Sequence, residues 1–188
     1  MSNNDIQQQT TVNIQEKANL IWAIADKLVG VYKPHEYGNV ILPMCVIKRF
    51  EDTLAPTKEK VLATNEKLDK DGIVVKKGFL ESAAEQKFYN LSPFDFQKLL
   101  NDPENIKVNF ESYLNHFSDN VIDIIHRMDF DREIEKMADN GVLYLVIKEF
   151  CTPKAYLGAD QITSVDMGYI FEELVRKFSE SYDEQAGA

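Results

Sequence analysis

The stretch from Val40 to Leu54 constrains the fold of this chain more than any other. Val40, Met44, Ile47, Phe50 and Leu54 recur at intervals of four, three, three and four, the period of one helix face. Ile41, Leu42, Cys45 and Val46 widen that face until the helix is apolar nearly all round. Such a helix belongs in the centre of a bundle. Pro43 removes one backbone donor inside it. A helix starting near Asn39 would hold Pro43 in its first turn at little cost, whereas a start at Pro34 predicts a kink near Asn39. The end, Lys48-Arg49-Phe50-Glu51-Asp52, is charged and is expected to return to solvent.

Around this centre the chain reads as helix after helix. Ile14, Ala18, Ile21, Trp22, Ala25, Leu28 and Val29 share a stripe that Gly30 stops, so Trp22 reads as core. A polar helix follows Pro56, capped by Thr57 and stopped by Gly72. Residues 73–79 (IVVKKGF) alone look more extended than helical. Ser92, Pro93 and Asp95 spell a helix start, with Ser92 as cap, and Asp102 and Pro103 repeat the device. Ile106, Phe110, Tyr113 and Phe117 form the next stripe. Two shorter helices follow over 118–140, stopped by Gly141. Residues 142–150 (VLYLVIKEF) fit a buried strand or helix by period, and without partner strands they are assigned to a core helix. The last helix turns Met167, Ile170, Phe171, Leu174 and Phe178 inward. The fold class is therefore all-α, a multi-helix bundle with at most one short extended segment near 73–79.

At 188 residues the chain can bury roughly 70% of its unfolded surface, so it needs no disulfide. Cys45 and Cys151 sit in apolar runs and read as buried free thiols of a reducing cytoplasm. The polar N-terminus has no signal-peptide core, and no apolar run approaches the ~20 residues of a membrane span. A cytoplasmic location is expected. Residues 1–80 carry 11 Lys/Arg against 10 Asp/Glu, and residues 81–188 carry 10 against 21. That acidic second half argues against DNA binding by this chain alone, while the front leaves room for a phosphate-facing surface.

Catalytic signatures are missing. The glycines never occur as Gly-x-Gly, and no Gly-x-Ser-x-Gly elbow is present. His35, His116 and His126 have no Cys or His at metal-ligand spacing. His35 and Glu36 would point about 100° apart on a helix, so they read as a solvated helix start rather than an acid–base pair. Asp129 and Asp131 lack the glycine and closing glutamate of a calcium loop. Lys48-Arg49 reads first as a solubilising helix end. Catalytic, cofactor and metal residues are accordingly expected to be none in this chain.

Three motifs nevertheless resemble the N-terminal helical domain of the DNA-methylation (M) subunit of type I restriction–modification systems. Trp22, Ala25, Asp26, Leu28 and Gly30 match Leu-Trp-x-x-Ala-Asp-x-Leu-Arg-Gly, although Val29 stands where the family commonly has Arg. Lys33, Pro34, Glu36 and Tyr37 match Lys-Pro-x-Glu-Tyr. Ile41, Leu42, Pro43, Arg49 and Asp52 match an Ile-Leu-Pro-Leu helix that ends in basic and acidic pairs. The middle helices of residues 88–121 and the segment 167–187 also resemble the family, in family order.

The resemblance implies a subunit that, at full length, transfers methyl from S-adenosylmethionine to adenine N6. It implies a specificity subunit, a second methylation subunit, a restriction subunit and double-stranded DNA as partners. The Gly-rich loop and the Asn/Asp-Pro-Pro-Tyr/Phe motif of that chemistry do not occur here, so this chain by itself is expected to be inactive. The expected organisation is a disordered tail at 1–13, a helical domain at 14–178, and at 179–188 the start of a linker to a catalytic domain. The domain's expected role is assembly and clamping of DNA, with Lys33, Lys48 and Arg49 as DNA- or partner-facing candidates. The other reading is a free-standing helical adaptor that binds protein.

Overall fold

The structure, a computed structural model, describes the backbone of residues 3–186 and the side chains of residues 13–181. Helix α1 spans Asn3–Ala23. Of the tail expected at 1–13, the side chains up to residue 12 lie outside the described residues. The chain tightens into a 3-10 turn over Ile24–Leu28 instead of continuing the α-helix to Val29. Val29 is consequently 65% exposed and leaves the expected stripe. Gly30, at φ +86°, makes the reversal that other residues resist.

The Lys-Pro-His-Glu-Tyr motif forms a second 3-10 turn, Pro34–Glu36, with Pro34 in the first position. Glu36 Oε2 accepts the Lys33 backbone N–H at 2.8 Å. That bond holds the Glu36 carboxyl below its usual range. Glu36 is therefore a cap at this turn. Tyr37 meets the half-buried Trp22 edge to face, with centroids 6.4 Å apart.

Helix α2 (Gly38–Leu54) follows, and Val40, Ile41, Met44, Cys45 and Ile47 are fully buried. Pro43 lies just beyond the first turn, and the helix continues through it. The carbonyl it leaves unpaired belongs to Asn39, an exposed residue, so water can meet it.

Next come α3 (Lys58–Lys70) and α4 (Lys77–Ala84), which pack together. Thr57 does not cap α3; its hydroxyl donates to the carbonyls of Leu54 and Ala84. Residues 73–76 lack regular structure, but Lys77, Gly78 and Phe79 are already helical, so the segment expected to be extended shrinks to four residues. Val74 and Val75 are 87% and 82% exposed there.

The second half contains α5 (Phe96–Leu99), α6 (Ile106–Asn115), α7 (Asp119–Arg127), α8 (Asp131–Asp139), α9 (Leu143–Phe150) and α10 (Ser164–Ala186). Asp95, in extended backbone, caps α5 by accepting the Lys98 N–H at 2.7 Å. Ser92 instead closes a turn onto Phe94 N–H, so the cap falls three residues later than expected. The apolar run at 142–150 is helical as assigned.

Arg49 near the end of α2 reaches the carbonyl of Ile162 just before α10, and Phe178 late in α10 lies over Gly38 at the start of α2. These contacts fix α10 antiparallel to α2. α1 packs against α10. From Phe50 an aromatic chain crosses to α6 through Phe117, Tyr113, Phe96 and Phe110, at centroid spacings of 5.2–6.1 Å. Among the described residues there is no strand, only isolated bridges such as Asn90 with Phe117.

Candidate functional site: a charged cleft at the end of the central helix

The last two turns of α2 carry Lys48, Arg49, Glu51 and Asp52 in five residues. At 100° per residue Lys48 and Asp52 share one side of the helix while Arg49 and Glu51 leave on others, and other elements surround it. Two of them end up buried. Lys48 is 5% exposed and Asp52 6%. The Lys48 ammonium lies 2.5 Å from Asp52 Oδ2, and the same oxygen accepts the Leu157 N–H at 2.9 Å. Arg49 Nη1 donates to the carbonyls of Leu157 (2.9 Å) and Ile162 (2.5 Å). Thr53 Oγ1 accepts the Ala159 N–H. Lys17 of α1 donates to the carbonyls of Lys154 and Tyr156 at 2.8 and 2.9 Å. Burial, and then Lys48, hold the Lys17 ammonium below its usual range. Side chains of α1 and α2 thus tie down the backbone of residues 154–162.

The expectation that Lys48 and Arg49 face DNA or a partner meets this geometry directly. Lys48 is withdrawn from the surface, and the Arg49 guanidinium is half-buried on two carbonyls. Lys33 alone of the three is exposed.

On the other side of the same turns opens a cleft of about 560 Å³. Glu51 lies in it, both carboxylate oxygens accepting the Phe96 N–H at 2.9 and 3.1 Å. Burial pushes the Glu51 carboxyl up to about 7, against the pull of that bond. Lys58, at the start of α3, donates to Asn90 Oδ1 (2.8 Å) and the Phe94 carbonyl (3.2 Å). Its ammonium lies 5.6 Å from the Tyr113 ring centroid, and burial brings it down to about 8. Burial, and then the Glu51 carboxylate, push the Tyr113 hydroxyl well above its usual range. Cys151 also lines the cleft, half-buried, its thiol raised by burial to about 11.

Glu51, Lys58, Tyr113 and Tyr156 were not singled out by the sequence reading. Lys58 and Glu51 find their partners 32 and 45 positions along the chain, so no local pattern points to them.

Most other cations of the first half are engaged. Lys70 pairs with Glu66 at 3.4 Å, Lys76 with Asp69, Lys77 with Glu81 at 3.9 Å, and Lys27 with Glu149 at 3.8 Å. Lys33, Lys60 and Lys67 are exposed and have no ion pair within 4 Å among the described residues. Among the described residues no group of three or more His, Cys, Asp or Glu could hold a metal ion. Among them, too, no helix is long and apolar enough to cross a membrane.

No curated protein and no solved structure matches this chain. The family described as HsdM N-terminal domain does match it, over residues 17–150, well over half its length. That span takes in the Trp22 motif, the 3-10 turn at Pro34–Glu36, all of α2 and every helix from there through α9. The chain belongs to the family of N-terminal domains of the M subunit of type I restriction–modification systems.

Proposed function

We propose that this helical domain is the assembly module of an adenine-N6 DNA methyltransferase subunit. The family match over residues 17–150 carries the reading. In the full-length subunit the methyl group would come from S-adenosylmethionine. This chain has no Gly-x-Gly loop that would let backbone approach that cofactor, so methyl transfer is assigned to another part of the subunit.

The partners proposed are the specificity subunit, a second methylation subunit, the restriction subunit and duplex DNA in the assembled enzyme. The charge distribution supports contacts that are mainly with protein. Lys17, Lys48, Arg49 and Lys58 are spent on internal partners, which leaves fewer first-half cations to displace counterions from phosphate. Of the candidate contacts, Lys33 is the one an assembled duplex could meet, because Lys48 and Arg49 are occupied.

The test is deletion of residues 17–150 from the full-length subunit, followed by light scattering with the specificity subunit and methyl incorporation into duplex DNA. Assembly and methylation should both fall. A deleted subunit that assembles and methylates like the intact one refutes the module. Lys33→Glu in the assembled enzyme should weaken DNA binding and lower the salt slope by about one. An unchanged slope removes Lys33 from the DNA.

A further inference from the structure

We propose that the cleft beside α2 binds a small zwitterion, an α-amino acid with a bulky apolar side chain, whose ammonium meets Glu51 and whose carboxylate meets Lys58. The cleft, at about 560 Å³, is of the size that holds small molecules. Seven charged residues line it, and among them no ion pair within 4 Å joins Glu51 to Lys58.

Each keeps unused capacity. An ionised carboxylate offers about four acceptor sites. Glu51 accepts the Phe96 N–H and lies beside the Tyr113 hydroxyl, and those two donors leave acceptor sites over. An ammonium has three donors, and Lys58 spends two, on Asn90 and Phe94. Both residues are half-buried and line the cleft. Lys48 and Asp52 also line the cleft, closed on each other and on Leu157.

Leu54, Pro56, Leu62 and Pro153 supply apolar wall for a side chain beyond the charged head. Burial holds the carboxyl up near 7 and the ammonium down near 8, and the nearby opposite charges do not offset that burial. A zwitterion supplies both countercharges in one binding event. A single ion would satisfy one group and leave the other as it is. The proposal is independent of the assembly role above, since it concerns this chain alone.

Three probes sharing one ring decide the matter: L-phenylalanine, 3-phenylpropionate without the ammonium, and phenethylamine without the carboxylate. Each is titrated calorimetrically into the full chain at about pH 7.5, between the two shifted groups. L-Phenylalanine should bind saturably and at least about tenfold more tightly than either truncated probe. Glu51→Gln should weaken L-phenylalanine by about tenfold while leaving 3-phenylpropionate unchanged, and Lys58→Met should do so while leaving phenethylamine unchanged. Circular dichroism establishes that the variants fold, and the wild-type comparison stands if they do not. No saturable binding of L-phenylalanine up to about 10 mM, or equal affinity for all three probes, overturns the proposal.

Discussion

Asp52→Ala isolates the charged end of α2. Asp52 does two things in the structure: it holds the Lys48 ammonium at 2.5 Å, and it accepts the Leu157 N–H at 2.9 Å. Removing the carboxylate strands a cation that is 5% exposed and orphans a buried N–H. Breaking one side of a buried pair costs about 3–5 kcal/mol, and the lost backbone bond adds about 1 kcal/mol. A domain of this size has about 5–15 kcal/mol in total, so the variant should sit near the edge of folding. At roughly 2–4 °C per kcal/mol, Tm should fall by about 10–20 °C. Chemical denaturation of wild type, Asp52→Ala, Lys48→Met and the double variant closes the cycle. Replacing both partners leaves no stranded charge, so the double variant should recover several kcal/mol relative to Asp52→Ala. A cost below about 1 kcal/mol for Asp52→Ala, with no coupling to Lys48, would refute the reasoning and mean that water reaches the pair in solution. The same geometry bears on reversing Lys48 and Arg49 to Glu. That change sets one carboxylate against another, at Asp52, and tests folding before it tests any DNA contact.

Two further perturbations probe other parts of the packing. A Cβ at Gly38 would lie 2.8 Å from the Phe178 ring, so Gly38→Ala should cost about 1–3 kcal/mol and be relieved by Phe178→Leu; an unchanged melting temperature would show that α10 does not press on α2 there. Glu51 is raised from about 4.5 to about 7 and Lys58 is lowered from about 10.5 to about 8, so both favour their neutral forms in the folded state. Stability should therefore fall as pH rises from about 4.5 to 7, and rise again between about 8 and 10.5, with a minimum between. Lys48, Asp52, Asp95, Lys98 and Tyr113 surround the two groups and modulate the depth. Glu51→Gln should flatten the acid limb, and an unchanged limb in urea melts across pH would show that Glu51 titrates normally.

The central helix was legible because its signal is local. Apolar residues at helical spacing around Val40–Leu54 fix both its type and its burial, whatever packs on it. The Gly30, Gly72 and Gly141 stops were legible for the same reason, and each has positive φ. The cap of α5 was not. Ser92, Asp95 and Pro93 compete within four residues, and only the extended backbone at Asp95 decides between them. The fate of Lys48 and Arg49 was further out of reach. Lys48 pairs with Asp52 four residues on, but the groups that close over Arg49 and Asp52 lie at Leu157 and Ile162, more than 100 positions away. A charged helix end looks solvated until the segment that covers it is known. The cleft depends on similar distances: Glu51 meets Phe96 45 residues on, and Lys58 meets Asn90 after 32.

The clamp between α2 and residues 154–162 also orders events in time. Asp52 waits for Leu157, 105 residues later, and Arg49 waits for Ile162, 113 residues later. At about 5–20 residues per second, a ribosome needs roughly 5–20 s to supply those partners after Asp52 emerges. During that interval the apolar length of α2 has no roof at its charged end, and Lys48, Arg49 and Asp52 remain hydrated. Those charges keep the nascent helix soluble while it waits. Arg49 and Asp52 turn into internal ties only when residues 157–162 arrive, so closing this end of α2 is electrostatic as well as apolar.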